Sequence, residues 1–167
     1  MKHLLTLGVL CILFVHHAHA ETFKNTNENQ NGKTFGQLMS WVLDGEKSPE
    51  RIEIETSDEW QKLQSDRLNY AVWIGHATYL INNGDINILT DPIFAKRASP
   101  IGFAGPKRMI PAVMKLTDLP RIDAVVVSHN HYDHLDMYSL KRLHKINPET
   151  IFLVPMGDGK RLKKAGL

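Results

Sequence analysis

Asp123-Ala-Val-Val-Val-Ser-His-Asn-His-Tyr-Asp-His134 decides the reading of this 167-residue chain. Its first half is a strongly apolar run of the kind that forms a buried strand. Its second half packs three imidazoles and one carboxylate into six positions. His129 and His131 are two apart, so in an extended segment both rings point the same way and can reach one ion. Asp133 and His134 follow where the strand must turn, and a turn lets neighbouring side chains converge on a second ion. Zinc favours imidazole nitrogen and carboxylate oxygen, and a catalytic zinc keeps one position for water. Two such cations lower the pKa of bound water and polarise a phosphoryl or carbonyl oxygen. Asp133 can bind metal and can also orient the proton of the nucleophile, which makes it the candidate catalytic residue. One histidine beside a strand is ordinarily a packed or surface residue, whereas this density points to a metal site. Structural zinc sites ordinarily use cysteine, which makes that alternative the weaker one.

Working outward, Ala71-Val-Trp-Ile74, Tyr79-Leu-Ile81 and Ile86-Asn-Ile-Leu89 read as short strands. Asn82-Asn-Gly-Asp85 between the last two is a hairpin signal. Residues 94–119 contain three prolines and two glycines with little periodicity; a loop that long inside a compact domain is usually functional. Asp136 is placed to cap a helix over residues 137–146, with Met137, Leu140, Leu143 and His144 on its apolar side, and Asn147-Pro148 ends it. Thr150-Ile-Phe-Leu-Val154 is another buried strand, and Gly157-Asp-Gly159 turns into a final short helix. A hairpin-rich start followed by strand, helix, strand indicates α/β layers. There is no internal repeat.

The N-terminal part reads differently. Lys2 and His3 precede an apolar core over residues 4–15, and Ala18-His-Ala20 fits a cleavage site, so residues 1–20 are expected to be an export signal, with periplasmic or secreted destinations both open. Cys11 is the sole cysteine; it lies inside that core, with Val9 and Leu10 before it, a poor setting for lipidation. Residues 21–33 are polar with four asparagines and read as a lead-in. Phe35, Leu38, Met39, Trp41 and Val42 have amphipathic helical spacing. Lys2 is the single charged residue in the first twenty, which leaves 19 basic against 18 acidic residues beyond them. That balance offers no footprint for nucleic acid. No segment after residue 20 has the length and apolarity of a transmembrane anchor. The domain partition expected is thus 1–20 signal, 21–68 lead-in and short helix, and 69–167 the catalytic-type domain.

Ser128-His-Asn-His-Tyr-Asp-His-Leu-Asp136 resembles the His-x-His-x-Asp-His signature of the metallo-β-lactamase fold hydrolases. Trp73-Ile-Gly-His-Ala-Thr78, Leu89-Thr-Asp-Pro-Ile-Phe94, Ala98-Ser-Pro-Ile-Gly-Phe-Ala-Gly-Pro-Lys-Arg108 and Ile122-Asp-Ala-Val-Val-Val-Ser128 resemble the branch that includes N-acyl-phosphatidylethanolamine-hydrolysing phospholipase D, with ascorbate-6-phosphate lactonase more distant. The resemblance runs over about residues 23 to 167. It implies the N-terminal half of a four-layer αββα sandwich with one or two zinc ions at its edge. By that analogy His129 and His131 serve the first metal, and Asp133 and His134 the second. It also implies phosphodiester hydrolysis of a lipid by a metal-bound hydroxide. His76 and Asp91 fall in the matching segments at strand ends. They either line the site and hydrogen-bond to a ligand, or are satisfied polar residues at turns. Gly102-Phe-Ala-Gly-Pro106 is either part of a substrate mouth or a surface loop. The family's later ligands, two histidines and a bridging aspartate, have no counterpart up to Leu167. The expectation is therefore a truncated chain, inactive alone, whose fold a C-terminal half or a second copy completes. A lactonase or esterase of the same superfamily, and a non-catalytic binding remnant, are the alternatives.

Overall fold

In the computed structural model, residues 34, 36–37, 40, 54–65, 69–99, 103 and 105–167 are described. The expected export segment with Cys11, the polar lead-in, most of the helix expected over residues 35–43, and Gly102 and Ala104 of the proposed mouth lie outside them. Gly36, Gln37 and Ser40 are helical. Thr34 Oγ1 accepts from the Gln37 amide and Gln37 Oε1 from the Thr34 amide, a reciprocal capping box. No described helix is long and apolar enough to cross a membrane.

Chain contacts set residues 49–167 apart as one unit. Within it the described elements are α1 (Trp60–Ser65), β1 (Tyr70–Gly75), β2 (Thr78–Asn82), β3 (Asn87–Thr90), β4 (Ala124–Val126), α2 (Met137–Ile146), β5 (Ile151–Leu153) and α3 (Gly159–Lys164), with a 3-10 turn at Leu116–Asp118. The five strands form one sheet in sequence order. β1, β2 and β3 are antiparallel neighbours, while β3, β4 and β5 run parallel. The three N-terminal strand runs, α2 and β5 fall where hydrophobic patterning places them, but β5, expected to be buried, has Ile151 and Leu153 exposed because only one face of the sheet is packed. α1 has no counterpart among the elements expected from patterning, since six residues are too few for a periodic signal, and its Trp60 packs against the core.

The sheet is the five-stranded layer of a mixed α/β fold, consistent with part of a metallo-β-lactamase sandwich. Val72, Leu80, Leu89, Val125 and Phe152 lie opposite one another across the five strands. They share one face and pack with Leu140 and Leu143 of α2 and Leu162 of α3. Leu140 and Leu143 are fully buried, and truncating a leucine in such a position costs about 2–5 kcal/mol. Asp136 caps α2 as its position implies, accepting from the Tyr138 amide at 3.0 Å. The other face carries Trp73, Tyr79, Val126, Ile151 and Leu153 in matching register. All five are exposed, Ile151 at 63% and Leu153 at 53%.

Strand direction also locates the site. β1 and β3 both run opposite to β2, and β4 and β5 run with β3. The carboxyl ends of four strands therefore meet at one edge of the sheet, where α/β folds bind their ligands. The β1–β2 turn, Asp91 after β3 and the loop after β4 all open there.

Candidate metal centre

The β1–β2 connection is a two-residue turn, His76-Ala77, since Gly75 pairs with Thr78. Turns of this length that suit the sheet's twist need a positive φ at their first position. His76 supplies it at +53°, a conformation uncommon for a side-chain-bearing residue. Ile74 is an extra residue between the paired Trp73 and Gly75, a bulge that re-aims the strand end. Thr90 Oγ1 bridges the turn to β3, donating to the Ala77 carbonyl at 2.9 Å and accepting from the Tyr79 amide at 3.0 Å. Trp73 Nε1 donates to the His76 carbonyl at 2.8 Å. The turn is thus held from both sides, and His76 Nε2 comes within 3.0 Å of Asp133 Oδ2.

Asp91 is the second residue with this backbone: it and His76 are the non-glycine residues at positive φ among those described, Asp91 at +35°. Strain of this kind concentrates where a site over-determines the backbone. Asp91 is buried, and its carboxylate accepts from the Ser128 amide at 2.7 Å, Ser128 Oγ at 2.8 Å and His134 Nδ1 at 2.9 Å. Burial pushes its pKa up, but the bonds from His134 and Ser128 outweigh this and hold it below the usual carboxylate range. Asp133 behaves alike: burial raises its pKa, and its own backbone amide, His134 and His76 together bring it below the ordinary value. Both are carboxylates at neutral pH.

The loop after β4 folds back through the Leu135 amide, which donates to the His131 carbonyl at 2.8 Å, and the His134 amide, which donates to the same oxygen at 3.0 Å. This turn presents Asp133 and His134 towards the His76 turn. One donor atom each from His76, Asp133 and His134 lies within 4.8 Å of the others. His129 Nε2 and His131 Nδ1 are 3.0 Å apart, and the rings of His129 and His134 adjoin, with centroids 3.9 Å apart. Two ligands of a tetrahedral zinc stand about 3.3 Å apart, given metal–nitrogen bonds near 2.05 Å. Both groupings have donor sets and spacings that fit a divalent cation.

Proton placement supports that fit. Asp91 is acceptor-only, so His134 Nδ1 donates to it, which turns Nε2 towards Asp133 Oδ2 at 3.6 Å. Ser128 Oγ gives its proton to Asp91 and can accept from His129 Nδ1 at 3.0 Å. His129 Nε2 then faces His131 Nδ1 at 3.0 Å. A partner that fixes the tautomer in this way is the usual companion of a metal-bound histidine. His76 therefore joins the Asp133–His134 pair directly, and Asp91 stands behind His134. Ser128, the last residue of the predicted strand and the first of the family-like motif, links Asp91 to two histidines. Its place immediately before the histidine run is the one signal that could have singled it out.

A beta-lactamase superfamily domain model matches residues 86–166, which spans Asp91 and the whole histidine loop. Over just under half of its length the chain is thus similar to that superfamily. N-acyl-phosphatidylethanolamine-hydrolyzing phospholipase D 1 of Caenorhabditis elegans is 49% identical over 98 residues, 59% of this chain and 28% of that protein. The mitochondrial protein of that name from Saccharomyces cerevisiae is 39% identical over 90 residues, 53% of this chain and 18% of that one. A metal-dependent hydrolase of Pyrobaculum islandicum is 30% identical over 63 residues, 38% and 23% of the two chains. The chain thus spans between 18% and 28% of the length of these relatives.

Proposed function

We propose that this chain carries the first ligand motif of a zinc-dependent phosphodiesterase acting on lipid phosphodiesters of the N-acyl-phosphatidylethanolamine type. The observation that carries the reading is the convergence of His76, Asp133 and His134 beside the His129–His131 pair, at the carboxyl edge of the sheet. The names of the two phospholipase D relatives support the substrate class. His129 and His131 would hold one ion, and Asp133 and His134 a second, with His76 against Asp133. A bound zinc supplies an acidified water and polarises a phosphoryl oxygen. The chain's own residues do the rest. Asp91 and Ser128 hold the imidazoles in their Nε2-ligating tautomers. Asp133, kept ionised, accepts a proton or orients it, and His76 fixes the carboxylate's rotation.

The test pairs zinc content with hydrolysis for the native polypeptide purified from its own cells, on N-acyl-phosphatidylethanolamine and on a lactone. The reading expects bound zinc, cleavage of the phosphodiester, and loss of both in His129→Ala and Asp133→Asn. A clear preference for the lactone would favour an esterase of the same lineage. Retention of the biological effect in His129→Ala would favour a metal-independent binding role.

A further inference from the structure

A cavity lies beside the histidine loop, on the side of α2's first turn. It encloses about 580 Å³, within the ~300–1,000 Å³ typical of small-molecule sites. Lys96, Arg97 and Arg161 line it with Tyr132, Phe94 and Met137. Its walls are built from fixed backbone. The Phe94 amide donates to Ser139 Oγ at 2.7 Å and the Ala95 amide to Asp136 Oδ2 at 3.2 Å, which pins this segment to α2. Residues 96–98 and 105–108 then pair with one another. Arg108 N donates to the Lys96 carbonyl at 2.9 Å, Ala98 N to the Pro106 carbonyl at 3.1 Å, and Arg97 Nη1 to the Gly105 carbonyl. Gly105 (φ +92°) makes the closure possible, since a Cβ there would stand 2.7 Å from Ser99 Cβ.

The charge is one-sided. Among the described residues, Lys96, Arg97 and Arg161 form no ion pair. The single lining carboxylate, Asp136, is already occupied by the Tyr138 and Ala95 amides and Ser139 Oγ. Three cations against one satisfied anion leave the cavity formally doubly positive. Two guanidinium groups offer planar forks, and Arg97 keeps donors beyond the one it gives to Gly105. Phe94, Met137 and the Tyr132 ring supply an apolar floor. We infer that this cavity binds a phosphate monoester dianion, whether free in solution or at the head of a lipid. A carboxylate would neutralise only half of the charge. This goes beyond the hydrolase reading and does not depend on it, because the binding requires no metal.

The test is a titration of inorganic phosphate into the full chain in EDTA, so that anion held by a metal is not counted. It is repeated with vesicles of phosphatidylcholine with and without phosphatidic acid. The expected result is saturable binding, weakened at least about tenfold in the Lys96→Ala/Arg161→Ala double variant. Lys163→Ala, on the same helix but outside the cavity, should leave it unchanged. Arg97→Lys should weaken it by an intermediate factor, as charge is kept and the fork lost. Competition between phosphate and phosphatidic acid vesicles identifies one shared site. Binding of the vesicles alone, with the same sensitivity to the double variant, identifies a lipid headgroup. The inference is overturned if neither probe binds in EDTA, if acetate binds as tightly as phosphate, or if the double variant stays within about twofold of the parent. Both altered side chains are exposed, so an unchanged far-ultraviolet spectrum separates lost binding from lost folding.

Discussion

Three donors converge on the carboxylate of Asp91: one backbone amide, one hydroxyl and one imidazole. Asp91→Asn keeps the shape but turns one acceptor into an NH₂ group that faces another donor. Leaving a buried donor unmatched costs about 1–3 kcal/mol, so urea denaturation should show a loss of that size. Zinc affinity should fall about 10–100-fold, the usual effect of losing the partner of a metal-bound histidine. His76→Gly should separate the two quantities. Glycine takes a φ of +53° without strain, so stability in the metal-free chain should hold or rise by about 1 kcal/mol. Zinc binding should weaken, because Asp133 loses its imidazole neighbour. A parallel fall in both would mean that His76 serves the fold alone. The family-like segments brought both residues forward as candidates, but the residues themselves did not choose between a site role and a satisfied turn. A histidine in a turn and an aspartate before a proline are each ordinary, and His76 meets Asp133 from 57 positions away.

At the scale of elements, local patterns were legible and long-range pairings were not. The short apolar runs of β1, β2 and β3 and the Asn-Gly between the last two mark the antiparallel part of the sheet. Asp136 and the Leu140–Leu143 spacing mark α2. The parallel pairing of β3 with β4 spans the long connection of residues 94–119, and nothing in that segment's composition states where it returns. The described residues on either side of its tip are paired. Arg97 and Lys107 form an antiparallel bridge, held by the Arg97 bond to Gly105 and the tight fit of Gly105 against Ser99. Gly105→Ala places a Cβ into that contact at a φ of +92°. It should cost about 1–3 kcal/mol by thermal or denaturant melting, and should raise protease sensitivity within residues 96–108 first.

At the scale of the whole molecule, the sheet has one face packed and one face apolar yet exposed. Contiguous apolar surface of this kind drives association. A polypeptide of this sequence is expected to self-associate and to bind a hydrophobic dye. Ile151→Lys with Leu153→Lys should lower both, measured by sedimentation velocity and dye emission, with little change in the helical signal. An unchanged sedimentation profile would place the contact elsewhere. The charges are not expected to disturb the packed side, because Phe152 between them points to the opposite face. The same exposed face adjoins the candidate metal centre through the bond from the Trp73 indole to the His76 carbonyl. An indole so placed is a native optical gauge. Its emission wavelength reports how wet the open face is, and its quantum yield reports the carbonyl to which it is tied. With Trp41 and Trp60 replaced by phenylalanine, one spectrum would register whether covering that face and setting the His76 turn happen together or apart.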